Sequence, residues 1–186
     1  AIGQSVMSQK NVISDNNIAI GKDALDNLTT GYYNIGVGAS VMSLSAVTGN
    51  YNLGVGRDAL DRLTGGDRNI GIGASVMSKG NVTGSNNVGI GTDSLDNLTT
   101  GSQNTCVGLS AGLGITTGAN NVAIGTETMH LSNVTGSGNV AVGREALTRV
   151  TTGYQNVALG RGSLQGVTTG FYNVGVGLET MSDQTV

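Results

Sequence analysis

Apolar and polar positions follow a short frame that returns ten times along this chain. The frame reads Gly, two variable positions, Asn, an apolar residue, a small residue, a second apolar residue and Gly, as at residues 31–38. Its step is nearly constant, as from Asn17 to Asn34 and from Asn34 to Asn52. The apolar–small–apolar triplet has the period of a β-strand, and a repeat this short indicates coils stacked on one another. The pattern predicts an all-β, parallel β-solenoid of about ten coils over residues 1–186.

Each predicted strand has two different faces. The two apolar positions share one face because side chains alternate along a strand, and they hold Val, Ile or Leu in every coil except at Thr105. We expect this branched face to form the core. The position between them is always Gly, Ala or Cys106. Its small size indicates close packing against either the opposite wall of the coil or another chain.

The second half of each coil carries one more apolar position, four residues after the closing Gly. It holds Met or Leu in every coil except at Gly112, and we expect it at a corner, where Met fills irregular gaps well. Two kinds of coil alternate over the first two thirds of the chain, which gives a 35-residue double repeat. The first kind predicts a single helical turn, at residues 23–29, 58–64 and 93–99. The second kind predicts a short strand, at residues 39–43 and 74–78.

An Asn occupies the same position in every frame. We expect these side chains to stack as a hydrogen-bonded ladder, as identical polar residues do in stacked strands, rather than to bind a ligand. The ten residues are Asn17, Asn34, Asn52, Asn69, Asn87, Asn104, Asn121, Asn139, Asn156 and Asn173.

Composition removes several functional classes. The net charge is −3, with 9 basic and 12 acidic residues, so no basic surface for nucleic acid is expected. No apolar run is long enough for membrane insertion. His130 is the single His, which leaves no material for a catalytic triad or a zinc site, and we place it in a loop. The sequence thus predicts no enzyme and no cofactor.

Aspartates recur every 35 residues, beginning with Asp23 and Asp26. Carboxylates at the start of a helical turn are favoured by its dipole and by capping. The alternative is that these aspartates bind calcium, but the repeat lacks the Asp of the calcium-binding β-roll nonapeptide. We therefore expect no metal site. Cys106, in a small-residue position, is expected to be a buried thiol.

All aromatic residues fall in the two variable positions of the frame. In a solenoid these positions form a line along the surface, and stacked rings with polar tips suit sugar faces. Packing against neighbouring loops or a partner chain is the alternative. The candidate ligand-binding residues are Tyr32, Tyr33, Tyr51, Tyr154, Phe171 and Tyr172.

The frame Asn-x-Ala-Ile-Gly at residues 17–21 and 121–125 resembles the head repeats of YadA-like trimeric autotransporter adhesins. The longer unit at 17–33 is similar to repeats in the shafts of phage and virus tail fibres. The resemblance implies a left-handed β-roll with three chains side by side, in contact with a host surface.

These observations together predict a single solenoid segment of a longer fibre protein, because both ends of the chain fall inside a repeat. We expect a homotrimeric phage tail fibre, on the virion, whose rigid shaft contacts host glycans or proteins. A trimeric adhesin head on a bacterial surface is the first alternative. A stand-alone, extracellular glycan-binding solenoid is the second.

Overall fold

The computed structural model describes residues 1–8, 14–131 and 133–182. Within these residues the chain is all-β and contains no helix. Each coil contributes one short strand, which is the apolar–small–apolar triplet of the frame. The strands are β1 (Ile18–Ile20), β2 (Ile35–Val37), β3 (Leu53–Val55), β4 (Ile70–Ile72), β5 (Val88–Ile90), β6 (Thr105–Val107), β7 (Val122–Ile124), β8 (Val140–Val142), β9 (Val157–Leu159) and β10 (Val174–Val176).

All ten strands form one parallel sheet in chain order, β1 to β10. The register never slips, because equivalent frame positions are always paired, as in Ile18↔Ile35 and Ala19↔Gly36. A second line of contact on another side of the coil consists of single parallel bridges such as Leu28↔Val47 and Leu63↔Val82. The prediction of a parallel β-solenoid, with one frame in each coil, is confirmed.

The expected orientation of the strands is wrong. The small central residue of every strand is buried, and the branched residues on either side are half-buried or exposed. The opposite wall of the same coil lies too close for a larger side chain. A Cβ added at Gly54 would lie 2.6 Å from Cγ1 of Val41 and 3.1 Å from Cε of Met42. The small face therefore packs against its own coil, and the branched face points outward.

The expected helical turns and the expected second strands are also wrong. Both kinds of segment form the same left-handed turn, with positive φ at two alternate residues, as at Asp23 (54°) and Leu25 (53°) and at Ser40 (54°) and Met42 (50°). The turn directs the second of these side chains inward. The Met or Leu position thus forms the centre of the core, fully buried from Leu25 to Leu164, rather than a corner.

The break in the Met and Leu column has a packing reason. Gly112 lies against Cys106, and a Cβ at Gly112 would lie 2.4 Å from the Sγ atom of Cys106. The larger residue on the strand and the missing side chain on the turn therefore compensate in volume. Cys106 is a fully buried free thiol, as expected, and burial raises its pKa well above the usual range.

The closing glycines form a column in which coils approach one another through backbone atoms alone. At Gly91, φ is +120° and an added Cβ would lie 2.4 Å from the carbonyl oxygen of Gly108. Neither the dihedral angle nor the space accepts a side chain. Gly65, outside this column, would place a Cβ 3.6 Å from its nearest neighbour, Oγ1 of Thr48.

Candidate functional site

The Asn residues of the frame form a continuous hydrogen-bonded column inside the solenoid. Oδ1 of Asn87 accepts from the backbone N–H and from Nδ2 of Asn104, both at 3.0 Å. Nδ2 of Asn87 donates to Oδ1 of Asn69 at 3.0 Å and to the carbonyl oxygen of Gly101 at 2.9 Å. The same pattern holds along the middle coils, where these side chains are buried. The column joins three neighbouring coils and has no access to a ligand there.

The recurring aspartates also make contacts within the coil stack. Oδ1 of Asp61 accepts from the backbone N–H of Ser43 at 3.2 Å and from its hydroxyl at 2.7 Å. Asp96 binds Ser78 in the same way, at 3.1 and 2.6 Å. Each Ser lies one coil before its Asp, and sequence reasoning missed this pairing.

Asp96 has a further partner. Its Oδ2 atom is buried, and Nζ of Lys79 lies 2.5 Å from it. This hydrogen bond and the charge of Asp96 raise the pKa of Lys79. Asp23 and Asp58 instead form exposed ion pairs with Lys22 and Arg57. In the described parts of the chain, no three acidic, His or Cys residues come close enough to hold a metal ion.

The six aromatic candidates form two separate groups at the surface. In the first, the rings of Tyr33 and Tyr51 stack with centroids 5.0 Å apart and an interplanar angle of 3°. The guanidinium carbon of Arg68 lies 5.5 Å from the centroid of Tyr51. Tyr51 thus has a partner in the preceding and in the following coil. Tyr32 lies beside this stack with no ring partner in the described residues.

The second group lies near the C-terminal end of the described chain. Tyr154 stacks on Phe171 with centroids 5.1 Å apart. Tyr172 packs edge-on against both rings, at 5.5 and 5.7 Å. All three rings remain exposed. The structure therefore divides the predicted line of six rings into two clusters.

A groove lies beside the second cluster. Its volume is about 550 Å³, and Tyr154 is the aromatic residue in its wall. The other side chains that line it are neutral and polar: Asn120, Thr135, Ser137, Thr152 and Gln155. Sequence reasoning missed the groove, because Gly136 and Gly138, two of its lining residues, occupy ordinary positions of the repeat.

The residue two positions before the frame Asn has a role in several coils that sequence reasoning also missed. Its side-chain oxygen accepts the backbone N–H of the equivalent residue one coil earlier. Oδ1 of Asp67 accepts from Asn50 at 2.7 Å, and Oγ of Ser85 accepts from Asp67 at 3.0 Å. Oγ of Ser137 accepts from Ala119 at 3.0 Å. This column of acceptors continues the coil stacking on the surface.

His130 follows the buried Met129 in a segment without regular structure and is half-buried. Comparisons with protein-family models, with curated proteins and with solved structures gave no match to this chain. Among the residues described here, none belongs to a helix that is long and apolar enough to cross a bilayer.

Proposed function

We propose that this chain is a rigid segment of a homotrimeric fibre of the phage tail-fibre type, which makes contacts with the host along its surface. The observation that carries the proposal is the outward-facing branched side of the sheet. On the ten strands, 19 of the 20 outward positions are aliphatic, and Thr105 is the other. Together they form one continuous apolar face along the solenoid.

The size of this face favours burial against other chains. Its members include Ile90, 37% exposed, and Val174, 68% exposed. Twenty such side chains offer on the order of 1,000 Å² of apolar surface, more than the few hundred Å² that a monomer usually leaves open. A standard interface buries roughly 800 Å² on each partner. The face is therefore large enough for a stable interface.

Charges border this face rather than interrupt it. The residue after each closing Gly is basic in several coils, as in Lys22, Arg57, Arg144 and Arg161. Each of these four forms an ion pair with an acidic side chain. An apolar centre with a charged margin is typical of protein interfaces. Three identical chains side by side, the arrangement that the resemblance of the repeats implies, would match this face along its whole length.

The role of such a segment is mechanical. Backbone bonds, the Asn column and the surface acceptors connect every coil to its neighbours, which resists bending. With a spacing of about 4.8 Å between coils, ten coils span roughly 50 Å. The segment sets a distance and presents its surface groups at fixed intervals.

The molar mass in solution tests this proposal. One chain has a mass of 18.6 kDa, and light scattering should give three times this mass. Charges in the apolar face, introduced together as Ile72→Asp and Ile90→Asp, should release single chains. Leu109→Lys is the matched control, because it introduces a charge in the column that already holds Arg57 and Arg144. A mass of one chain for the unmodified protein would refute the trimer.

A further inference from the structure

The groove beside Tyr154 combines three features: an aromatic wall, neutral polar side chains and backbone donors without a protein acceptor. We propose that it binds a short, neutral saccharide. This inference deepens the proposed function, since it assigns a host contact to one place on the fibre and names its chemistry.

The aromatic wall supplies an apolar surface of the right kind. Phe171 stacks on Tyr154, and Tyr154 is also a lining residue of the groove. The C–H bonds on one side of a pyranose ring pack well against an aromatic ring, and a ring already held by its neighbours loses little entropy on binding. Tyr172 braces both rings edge-on, so the wall is preformed.

The polar side chains suit hydroxyl groups. The amides of Asn120 and Gln155 each present donors and an acceptor, and the hydroxyls of Thr135 and Thr152 can do both. Ser137 accepts from Ala119 through its oxygen, so its hydroxyl proton is left to donate. The volume of this open groove, about 550 Å³, lies within the range of small-molecule sites.

The surface column of acceptors is interrupted at this groove. In the coils after Ser137 and Tyr154, the position that should supply an oxygen holds a ring instead, Tyr154 and Phe171 respectively. Within the residues that the structure describes, the backbone N–H groups of Ser137 and Tyr154 donate to no protein atom. A polar hydrogen without a protein acceptor beside a groove is a position for a water or a ligand oxygen.

The absence of charge in the lining selects among saccharides. None of the lining residues is ionisable at neutral pH, and no guanidinium or ammonium group is present to pair with a carboxylate. Placing a charged sugar there would remove water from its carboxylate without compensation. The groove should therefore bind neutral hexoses and exclude sialic or uronic acids.

The first aromatic cluster does not share these features. Tyr51 stacks on Tyr33 and has the cation of Arg68 over its ring, so a charged group adjoins this cluster, in contrast to the neutral lining of the groove. Tyr32 is nevertheless the closest match to Tyr154, because it occupies the same frame position and is equally exposed, at 39%. Tyr32→Ala thus removes an equivalent ring at a place where no ligand is expected.

The test is saturation-transfer NMR on the complete chain with two panels of free sugars. The neutral panel holds maltose, cellobiose, lactose, methyl mannoside and chitobiose; the charged panel holds sialyllactose and digalacturonic acid. At least one neutral sugar should bind with a Kd of about 1–10 mM, a range typical of a single small site. Tyr154→Ala should weaken that binding at least about tenfold, the expected effect of one lost ring contact.

Two further variants exclude indirect effects. Ser137→Tyr fills the groove with a ring that the same column accommodates at Tyr154, and it should abolish binding while circular dichroism stays unchanged. Tyr32→Ala should leave the Kd within twofold of the original.

Several results would overturn the inference: no binding by the neutral panel, binding by charged sugars alone, binding that survives both groove variants, or an equal loss in Tyr32→Ala. The outcome is distinct from that for the fibre. If the protein is a trimer but binds no neutral sugar, the groove site is refuted and the fibre proposal stands. If it is a monomer that binds a neutral sugar, the fibre proposal is refuted and the groove site stands.

Discussion

Removing one side chain from the middle of the Asn column should cost far more stability than removing an Asn from the surface. The substitution is Asn87→Ala. The side chain of Asn87 is fully buried and makes four hydrogen bonds, to Asn69, Gly101 and Asn104. Its removal affects the coil before it and the coil after it.

The magnitude follows from the groups that lose their partners. The backbone N–H of Asn104, one Nδ2–H of Asn104 and the carbonyl oxygen of Gly101 would each be buried with no acceptor or donor. Oδ1 of Asn69 keeps a bond, because the backbone N–H of residue 87 still reaches it. An orphaned buried group costs about 1–3 kcal/mol. A water in the vacated space can satisfy some of them, so we expect a loss of about 3–6 kcal/mol.

Urea unfolding followed by circular dichroism measures this difference, and thermal melting should show a parallel decrease of roughly 6–24 °C for a chain of this length. The control is Asn50→Ala. That side chain is half-buried; it accepts the exposed N–H of Tyr32 and donates to Oδ1 of Asp67 at 3.2 Å, and water can replace it in both bonds. We expect the control to cost less than about 1 kcal/mol. If the two variants differ by less than this, the buried column does not hold the coils together and the reasoning is wrong.

Three further predictions concern single positions. Gly91→Ala should lower the free energy of unfolding by about 2–5 kcal/mol, because of the strained dihedral angle and the overlap with the next coil. Gly65→Ala should be neutral or slightly stabilising in the same urea titration. Equal unfolding midpoints for the two variants would contradict the role of the column of closing glycines. Lys79→Ala should cost about 1–3 kcal/mol of stability, because a buried carboxylate oxygen loses its partner. Lys22→Ala, which removes an exposed ion pair, should cost less than about 1 kcal/mol. Folding raises the pKa of Lys79 above its usual value, so the stabilisation by this ion pair is complete below the usual lysine pKa and is lost only as the pH rises through the folded pKa. If the difference in stability between the original protein and Lys79→Ala vanished near neutral pH, the ion pair would be excluded. Cys106 should react with a thiol reagent at mildly alkaline pH only at the rate of unfolding, and rapid labelling of the native protein would show that the core is open.

The sequence repeat was sufficient to predict the strands, their parallel order and their register, because a nearly constant step between frames leaves one way to stack the coils. It could not decide which face of a strand is the core. Alternation says which residues share a face, and branched residues usually mark the buried one. Here the coil is so thin that the turn bearing Val41 and Met42 leaves room only for Gly or Ala on the strand.

Other features needed the three-dimensional structure for different reasons. The spacing of Ala24, Leu25 and Leu28 resembles one turn of a helix, and no composition rule indicates that Leu25 adopts a left-handed conformation. The six aromatic positions were visible in the sequence. Their division into two clusters, with a groove beside one of them, depends on what the neighbouring coils place next to each ring.

The pairing of Ser with Asp also restricts how a gene for this repeat can change in length. Ser43 on one coil requires Asp61 on the next, and Ser78 requires Asp96. Unequal recombination that removed one coil from this region would place two Ser or two Asp on neighbouring coils. Loss or gain of a complete double repeat preserves every pair, so we expect natural length variants of the first half to differ in steps of two coils, roughly 10 Å each. Beyond residue 110, where this pairing ends, single-coil steps are allowed.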